Sequence, residues 1–379
     1  MLLGMFDGKL GWVDGLILWA GMILFLVYLL NIAKKGKNEE QQEEQNEKKK
    51  KAPLIWLILK ILIGGAAIVL GSDFAVDGAT AIATSMGWSE RLIGLTIVAM
   101  GTSAPEAAVS ITAGVQAKFF GVTGAADMAV GNILGSNLFN LLFILGICMM
   151  IKPIPTSLCS LKRDFPWAIG STILFIPMIM DGKLSLVEGI ILVTLFVSYI
   201  GWMVYQSIKN REKVEDETKL MPISKSLLLL GVGLAMIILG GQFVVNSSVA
   251  IAEAFGMDST LIGLTICAIG TSLPELVTSV VASRKGESEL AVGNVIGSNI
   301  FNILCILGVT GVISPVKIIP NNLIDIGVVI AFSAIIWLVA WKKRKLNRID
   351  GVWMILLYVA FASYIIIRDM VQKGLLNIF

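Results

Sequence analysis

The chain has 379 residues, of which 56% are hydrophobic and 15% are charged, and its mean hydropathy is +0.84. Soluble domains contain roughly 45–50% apolar residues, so this composition favours a protein embedded in a bilayer. The formal net charge of +3 is too small to indicate a nucleic-acid partner. Histidine is absent, which argues against zinc chemistry and against an enzyme with a histidine base.

Apolar runs in chain order predict eleven helices, most of them long enough to cross a bilayer, which takes about 20 helical residues. The first, near 10–33, predicts a retained N-terminal transmembrane helix within residues 1–33, and the Lys/Glu/Gln-rich stretch 34–53 predicts a solvated linker. Ten more helices are predicted near 54–87, 91–114, 127–151, 165–180, 187–208, 226–257, 260–283, 289–314, 323–342 and 350–368. A charged loop at 209–225 divides them into two sets of five, residues 54–208 and 226–370.

The two sets repeat the same motifs in the same order. L-I-G-L-T-I recurs identically at 92–97 and 261–266, and G-T-S-A-P-E at 101–106 recurs as G-T-S-L-P-E at 270–275. A-V-G-N-I-L-G-S-N-L-F-N at 129–140 recurs as A-V-G-N-V-I-G-S-N-I-F-N at 291–302. Five spans are an odd number, so the second copy is inverted in the membrane. We therefore predict an all-α polytopic membrane protein with two inverted five-helix repeats, which form a ten-helix core, plus one extra N-terminal transmembrane helix.

Lysine and arginine in the loops predict the orientation of the chain. An odd repeat places the linker 34–53 and the loop 209–225 on opposite sides of the membrane, and both are rich in lysine. The other loops on the side of 209–225 add the cluster 342–345 and several further basic residues. The positive-inside rule thus places the loop 209–225 in the cytoplasm.

Each G-T-S-x-P-E motif places a glutamate beside a helix-breaking proline. Pro105 lacks a donor and crowds the carbonyl of Gly101, so backbone carbonyls here need another partner, which a bound cation can supply. Glu106 follows Thr102 and Ser103 by four and three residues, which puts all three side chains on one helix face. Thr271, Ser272 and Glu275 repeat this pattern. A carboxylate at bilayer depth is a functional candidate by default, although a protonated glutamate bonded within the helix bundle is the alternative.

The second motif predicts a polar stripe along a helix. Asn132, Ser136 and Asn140 are spaced at i, i+4 and i+8, and Asn294, Ser298 and Asn302 copy them. These side chains either face a binding site or hydrogen-bond neighbouring helices, and the second alternative weighs most for Asn132 and Asn294. Small-xxx-small glycine pairs beside the stripe, at 131 and 135 and at 293 and 297, predict close helix packing.

Together the motifs offer carboxylate, hydroxyl, amide and carbonyl oxygens and no nitrogen or sulfur ligand. Hard cations such as Ca2+ and Na+ prefer such a set. Two carboxylates balance one Ca2+, and the same oxygens can hold two or three Na+. Competition for overlapping sites would make the transport an exchange.

At these motifs the sequence resembles the calcium/cation antiporter superfamily, in particular its prokaryotic sodium/calcium exchanger branch, over about residues 54–370. The resemblance implies a multi-pass protein of the prokaryotic plasma membrane, with alternating access by sliding of two long helices, here 54–87 and 226–257. It implies Glu106 and Glu275 as central Ca2+ ligands, aided by the carbonyls of Thr102 and Thr271. Implied Na+ ligands are the carbonyls of Ala99 and Ala268 and the hydroxyls of Ser103, Ser136, Ser272 and Ser298, with Asn140 lining the middle of the site.

Asn302 departs from part of that superfamily, since some members carry an aspartate at this position. An acidic residue there is linked to K+ co-transport in potassium-dependent relatives, so Asn302 argues against K+ dependence. A Ca2+/H+ antiporter of the same superfamily is the main alternative function, and a cation channel is a more remote one. The expected partners are Ca2+, Na+ and the lipid bilayer; no cofactor and no obligatory protein partner is expected.

Overall fold

The computed structural model describes residues 53–120, 127–209, 221–255 and 268–372. The predicted N-terminal helix, the linker up to residue 52 and most of the predicted central loop lie outside these residues. The helices are α1 (Leu54–Met86), α2 (Glu90–Ile93), α3 (Ala99–Thr102), α4 (Ala104–Phe120), α5 (Asp127–Leu138), α6 (Leu145–Ile151), α7 (Phe165–Met178), α8 (Leu186–Lys209), α9 (Ile223–Ala254), α10 (Ala268–Thr271), α11 (Leu273–Lys285), α12 (Ser288–Phe301), α13 (Gly308–Ile313), α14 (Pro320–Lys343) and α15 (Arg348–Gln372).

Wider π-helical turns join several of these helices into longer rods. They span Gly94–Val98 between α2 and α3, Phe139–Ile144 between α5 and α6, and Asn302–Leu307 between α12 and α13; Ser160–Asp164 leads into α7. Seven rods in the described residues are long and apolar enough to cross a membrane, and the bent pair Glu90–Thr102 and Ala104–Phe119 makes an eighth. The chain is therefore a multi-pass membrane protein, as its composition predicts.

One predicted helix, 91–114, is wrong as a continuous rod. The chain breaks at Ser103, and the two parts are bent by 50°. The physical reason is Pro105, which cannot donate to a carbonyl of the preceding turn. The described part of the predicted helix 260–283 is broken at the equivalent residue, Ser272. The other eight predicted core helices match described rods.

Four two-residue strands confirm that the repeats are inverted. Strands β1 (Ile154–Pro155) and β2 (Lys183–Leu184) lie before and after α7, and β3 (Val316–Lys317) and β4 (Lys345–Leu346) lie before and after α14. Strand β1 pairs with β4, and β2 pairs with β3, both antiparallel. Because β1 follows the α5–α6 rod and β3 follows the equivalent α12–α13 rod, this exchange puts the ends of the two rods at opposite ends of the structure.

The chain divides into two compact units, and each contains a glycine contact between the long helices α1 and α9. Of the described residues, the smaller unit contains 53–66, 239–255 and 268–270, and the larger contains 67–120, 127–209, 221–238 and 271–372. In the smaller unit a Cβ at Gly64 would lie 2.6 Å from the carbonyl oxygen of Gly240. In the larger unit a Cβ at Gly71 would lie 2.7 Å from the carbonyl oxygen of Gly233. Only glycine permits these backbone approaches.

The rods that carry the second motif lie at the centre of the larger unit. In the apolar windows of Met128–Ile151 and Ser288–Ile313, 78% and 72% of residues are buried, against 22–33% for the other long rods. Side chains such as Ile133, Leu142, Val295 and Ile303 belong to one contiguous hydrophobic core. The polar residues of these two rods therefore face protein rather than lipid.

Candidate ion-binding site

The two breaks at Ser103 and Ser272 place the glutamates in the first turns of new helices. Ser103 has φ −81° and ψ 9°, and Ser272 has φ −87° and ψ 5°, away from the helical ψ of about −42°. Glu106 then lies in the first turn of α4 and Glu275 in the first turn of α11. A helix N-terminus carries a partial positive charge, which stabilises a carboxylate there. Both glutamate side chains are fully buried.

Hydrogen bonds between the repeats connect the two glutamates to serines. Ser103 Oγ donates to Glu275 Oε1 at 2.6 Å, and its counterpart Ser272 Oγ donates to Glu106 Oε1 at 2.9 Å. Ser136 Oγ lies 3.4 Å from Glu106 Oε1 and 3.1 Å from Ser272 Oγ. The sequence predicts that each serine shares a helix face with the glutamate of its own motif, but each bonds the glutamate of the other. The break at Ser103 accounts for this in the first repeat, because it bends α4 by 50° away from the preceding segment.

Five oxygens of the predicted site are buried without a hydrogen-bond partner among the described residues. They are Glu106 Oε2, Glu275 Oε2, Asn140 Oδ1, Asn302 Oδ1 and Ser298 Oγ. An unpartnered buried polar atom costs about 1–3 kcal/mol, and more when it is charged. Four of the five form repeat-related pairs, so a chance defect of packing is a poor explanation. Oxygens of this kind are suited to bind a hard cation.

The residues whose backbone carbonyls are predicted ligands differ in their hydrogen bonds. Thr102 is fully buried, and its hydroxyl donates to Asn294 Oδ1 at 3.1 Å. The predicted ligand is the backbone carbonyl of Thr102, not this hydroxyl. The Ala99 carbonyl accepts the backbone N–H of Ser103 at 3.0 Å and lies 3.4 Å from the Thr102 hydroxyl. Thr271 is buried, and Ala268 lies in α10.

Asn132 and Asn294 hydrogen-bond neighbouring helices. Asn132 Nδ2 donates to Ser110 Oγ at 3.1 Å, and Asn294 Nδ2 donates to Ser279 Oγ at 2.9 Å. Both bonds join the second motif to the helix that carries the glutamate of the same repeat. This arrangement agrees with the helix-bonding alternative for these two residues.

The glycine prediction is confirmed in the second repeat. A Cβ at Gly293 would lie 2.6 Å from the Arg91 carbonyl oxygen, and one at Gly297 would lie 2.5 Å from that of Leu95. The first-repeat pair, Gly131 and Gly135, meets no described atom within 4 Å. The segment equivalent to Arg91–Leu95 in the other repeat lies outside the described residues, so the prediction for that pair stays untested.

Two further asparagines, Asn137 and Asn299, lie outside the predicted site and hydrogen-bond residues of that site. Asn137 Oδ1 accepts a hydrogen bond from Asn302 Nδ2 at 2.9 Å, and Asn299 Oδ1 accepts one from Asn140 Nδ2 at 3.2 Å. Both residues occur at the same place in the repeated G-S-N-x-x-N motif. This repetition could have indicated from the sequence that both residues matter. Neither residue, however, belongs to the i, i+4, i+8 stripe, so the stripe does not predict them.

The comparisons with known proteins agree with this architecture. The sodium/calcium exchanger protein family matches residues 56–205 and 225–367. The putative antiporter CaxA of Alkalimonas amylolytica is 40% identical over 80% of this chain and 96% of its own length. The sodium/calcium exchanger MaX1 of Methanosarcina acetivorans is 33% identical over the same shares of the two chains.

A solved structure has the same fold. The sodium-calcium exchanger NCX_Mj, in a crystal soaked with Na+ and Ca2+, matches with a TM-score of 0.71 and 30% identity, over 82% of this chain and 98% of that one. The family match covers most of both repeats and includes both glutamate motifs. This chain belongs to the sodium/calcium exchanger family, a group of membrane antiporters within the calcium/cation antiporter superfamily.

Proposed function

We propose that this protein exchanges Ca2+ for Na+ across the membrane, with Glu106 and Glu275 as the central Ca2+ ligands. The observation that carries the proposal is the set of repeat-related, unpartnered oxygens around the two glutamates. Two ionised carboxylates balance one Ca2+, and neutral oxygens complete its coordination of six to eight ligands. The carbonyls of Thr102 and Thr271 are the proposed additional ligands.

Exchange follows when Na+ competes for the same oxygens. We assign outer Na+ sites to the hydroxyls of Ser103, Ser136, Ser272 and Ser298, with the carbonyls of Ala99 and Ala268, and the middle of the site to Asn140. Ser103 and Ser272 hydrogen-bond the glutamates directly, so a cation that binds these hydroxyls must change the environment of both carboxylates. Sliding of α1 and α9 would open the site alternately to the two sides of the membrane.

Na+ is the proposed counter-ion because hydroxyl oxygens are useful ligands to Na+ and superfluous to a proton. MaX1 is named a sodium/calcium exchanger, whereas the name of CaxA specifies an antiporter without its ions. The distinguishing experiment uses proteoliposomes and follows 45Ca2+ uptake. Uptake should follow an outward Na+ gradient and should be absent when the vesicles contain choline and carry only a pH gradient. Uptake driven by the pH gradient alone would instead identify a Ca2+/H+ antiporter.

The ligand assignment has its own test. Glu106→Gln and Glu275→Gln should each abolish Ca2+ exchange, because each removes half of the charge that balances Ca2+. Glu188→Gln is the matched control, since Glu188 also lies in the first turn of a helix, where it bonds Ser185 outside the site. The control should retain exchange. Near-normal exchange by either site variant, with normal insertion, would remove that residue from the site.

A further inference from the structure

Four asparagines are joined by hydrogen bonds between the two central rods, and this arrangement consists of a reciprocal pair with one further asparagine bonded to each member. Asn137 Nδ2 donates to the backbone carbonyl of Asn299 at 3.3 Å, and Asn299 Nδ2 donates to the backbone carbonyl of Asn137 at 3.1 Å. Their side-chain oxygens accept from Asn302 at 2.9 Å and from Asn140 at 3.2 Å, respectively. All four residues are buried, and the two halves of the arrangement are related by the repeat.

These contacts fix the orientation of the four side-chain amides, one after another. A backbone carbonyl can only accept, so Asn137 and Asn299 must direct their NH2 groups toward it. Their Oδ1 atoms then face Asn302 and Asn140, which must donate hydrogen bonds from their own NH2 groups. As a result the Oδ1 atoms of Asn140 and Asn302 point away from the arrangement, and neither has a hydrogen-bond partner among the described residues.

Amide orientation matters at a cation site because the two ends of an amide carry opposite partial charges. The oxygen and the NH2 group have nearly the same size, so shape does not select between them. An NH2 group directed at a buried cation would repel it, and the low dielectric of the interior would strengthen that repulsion. A partner that can only accept removes the wrong orientation.

We propose that Asn137 and Asn299 are positioning residues, which hold Asn302 and Asn140 so that amide oxygens rather than NH2 groups face the transported cation. This inference rests on the proposed function, because it assumes that Asn140 and Asn302 line the ion site. The two backbone carbonyls are the physical origin of this orientation. They fix the side-chain amides of Asn137 and Asn299, and these amides in turn fix those of Asn302 and Asn140. The G-S-N-x-x-N motif therefore contains both a ligand and the residue that orients the ligand of the other repeat.

The test is a double-mutant cycle on the full chain in proteoliposomes. Asn137→Ala removes the acceptor that orients Asn302, and the KM for Ca2+ should rise by about 10–100-fold, the usual effect of losing a group that orients a metal ligand. Asn302→Ala should have a comparable effect. In the Asn302→Ala background, Asn137→Ala should cause little further change, because the residue through which it acts is already gone.

The cycle also separates an orienting role from a purely structural one. Asn132→Ala is the matched control on the same rod: it breaks the bond to Ser110 and should lower thermal stability without raising the KM for Ca2+. An Asn137→Ala variant with unchanged KM, or effects of Asn137→Ala and Asn302→Ala that multiply fully, would overturn the proposal. If Asn137→Ala does not insert, Asn299→Ala with Asn140→Ala provides the repeat-related cycle.

A binding measurement distinguishes failure of this inference from failure of the proposed function. Ca2+ should raise the thermal unfolding temperature of the purified wild type, and Glu275→Gln should lose most of that rise. If Glu275→Gln loses it while Asn137→Ala keeps it at all Ca2+ concentrations, the positioning role alone is refuted. If Glu275→Gln keeps the full rise, the ion site itself is wrongly placed.

Discussion

The ion pairs of Lys285 should stabilise one of the two transport states over the other. Lys285 Nζ, at the end of α11, lies 2.7 Å from Asp77 Oδ1 and 3.1 Å from Asp73 Oδ1 on α1. The repeat offset that takes Glu106 to Glu275 maps these three residues onto Gln116, Gln242 and Asn246, which are all neutral. If the two states of an inverted-repeat antiporter exchange the conformations of its repeats, the ion pairs exist in only one state.

The exposure of the three side chains gives the size of this bias. Lys285 is 30% exposed, and Asp73 and Asp77 are 44% and 53% exposed, so solvent screens both pairs. Exposed pairs contribute about 0.2–1 kcal/mol each, and two pairs that share one lysine contribute about 1 kcal/mol together. Loss of about 1 kcal/mol changes the ratio of two states by roughly fivefold. Lys285→Gln, which copies the residue of the other repeat, should produce that change.

Single-molecule fluorescence transfer between labels on the two faces of the reconstituted protein measures the ratio of the states. The double variant Asp73→Asn with Asp77→Asn should have the same effect, without adding to that of Lys285→Gln. High salt should reduce the difference between wild type and variants, because it screens exposed charges. Lys225→Gln, a lysine at the start of α9, is the control. An unchanged ratio in Lys285→Gln at low salt would refute the reasoning.

Three further predictions concern packing, charge and orientation. Gly71→Ala should destabilise the protein in detergent by about 1–3 kcal/mol, because the added methyl group would lie 2.7 Å from a backbone carbonyl of α9. Gly231→Ala, which meets no described atom within 4 Å, should be neutral; equal melting temperatures of the two variants would contradict the contact. Wild-type exchange should proceed without K+, whereas Asn302→Asp adds a buried charge and should make Ca2+ flux sensitive to K+ or pH. A folded variant with unchanged ion and pH dependence would take Asn302 out of the site. Cysteine labelling should place residue 214 in the cytoplasm and residue 42 on the opposite side; both on one side would contradict the odd-span repeat.

Long apolar segments were predictable from the sequence because their length and composition decide their structure. The predicted helices 127–151 and 187–208 correspond closely to Met128–Ile151 and Leu186–Ser207. The inverted repeat was predictable for a related reason, since an odd number of spans leaves no other arrangement. The two-residue strands were not predictable, because a pair such as Lys183 and Leu184 is too short to show an alternating pattern.

For the candidate site, the sequence predicts residues, whose ion binding stays a prediction, but it does not predict the contacts that join them. The repeated motifs single out Glu106 and Glu275, because a carboxylate in an apolar helix is costly to bury. Spacing along one helix, however, says nothing about a neighbour from the other repeat. Ser103 is three residues from Glu106 and yet bonds Glu275, and Asn137 accepts a hydrogen bond from Asn302 across the two rods. Such pairings depend on how the inverted repeats pack, which no local pattern records.

The symmetry of the repeats is kept at the buried oxygens and lost at charges elsewhere. The reciprocal bonds of Ser103 to Glu275 and of Ser272 to Glu106 occur in matching positions, and so do the asparagine contacts. By contrast, buried Asp164 pairs with Arg91 and Arg163. The offset between strands β1 and β3 maps Asp164 onto Ile326 in the second repeat, which carries no charge. If the paired oxygens are the ion ligands proposed above, the site presents similar oxygens whichever side is open. Charges that occur once stabilise one arrangement only, so substitutions at these charges can shift the balance between states while the ion ligands stay unchanged.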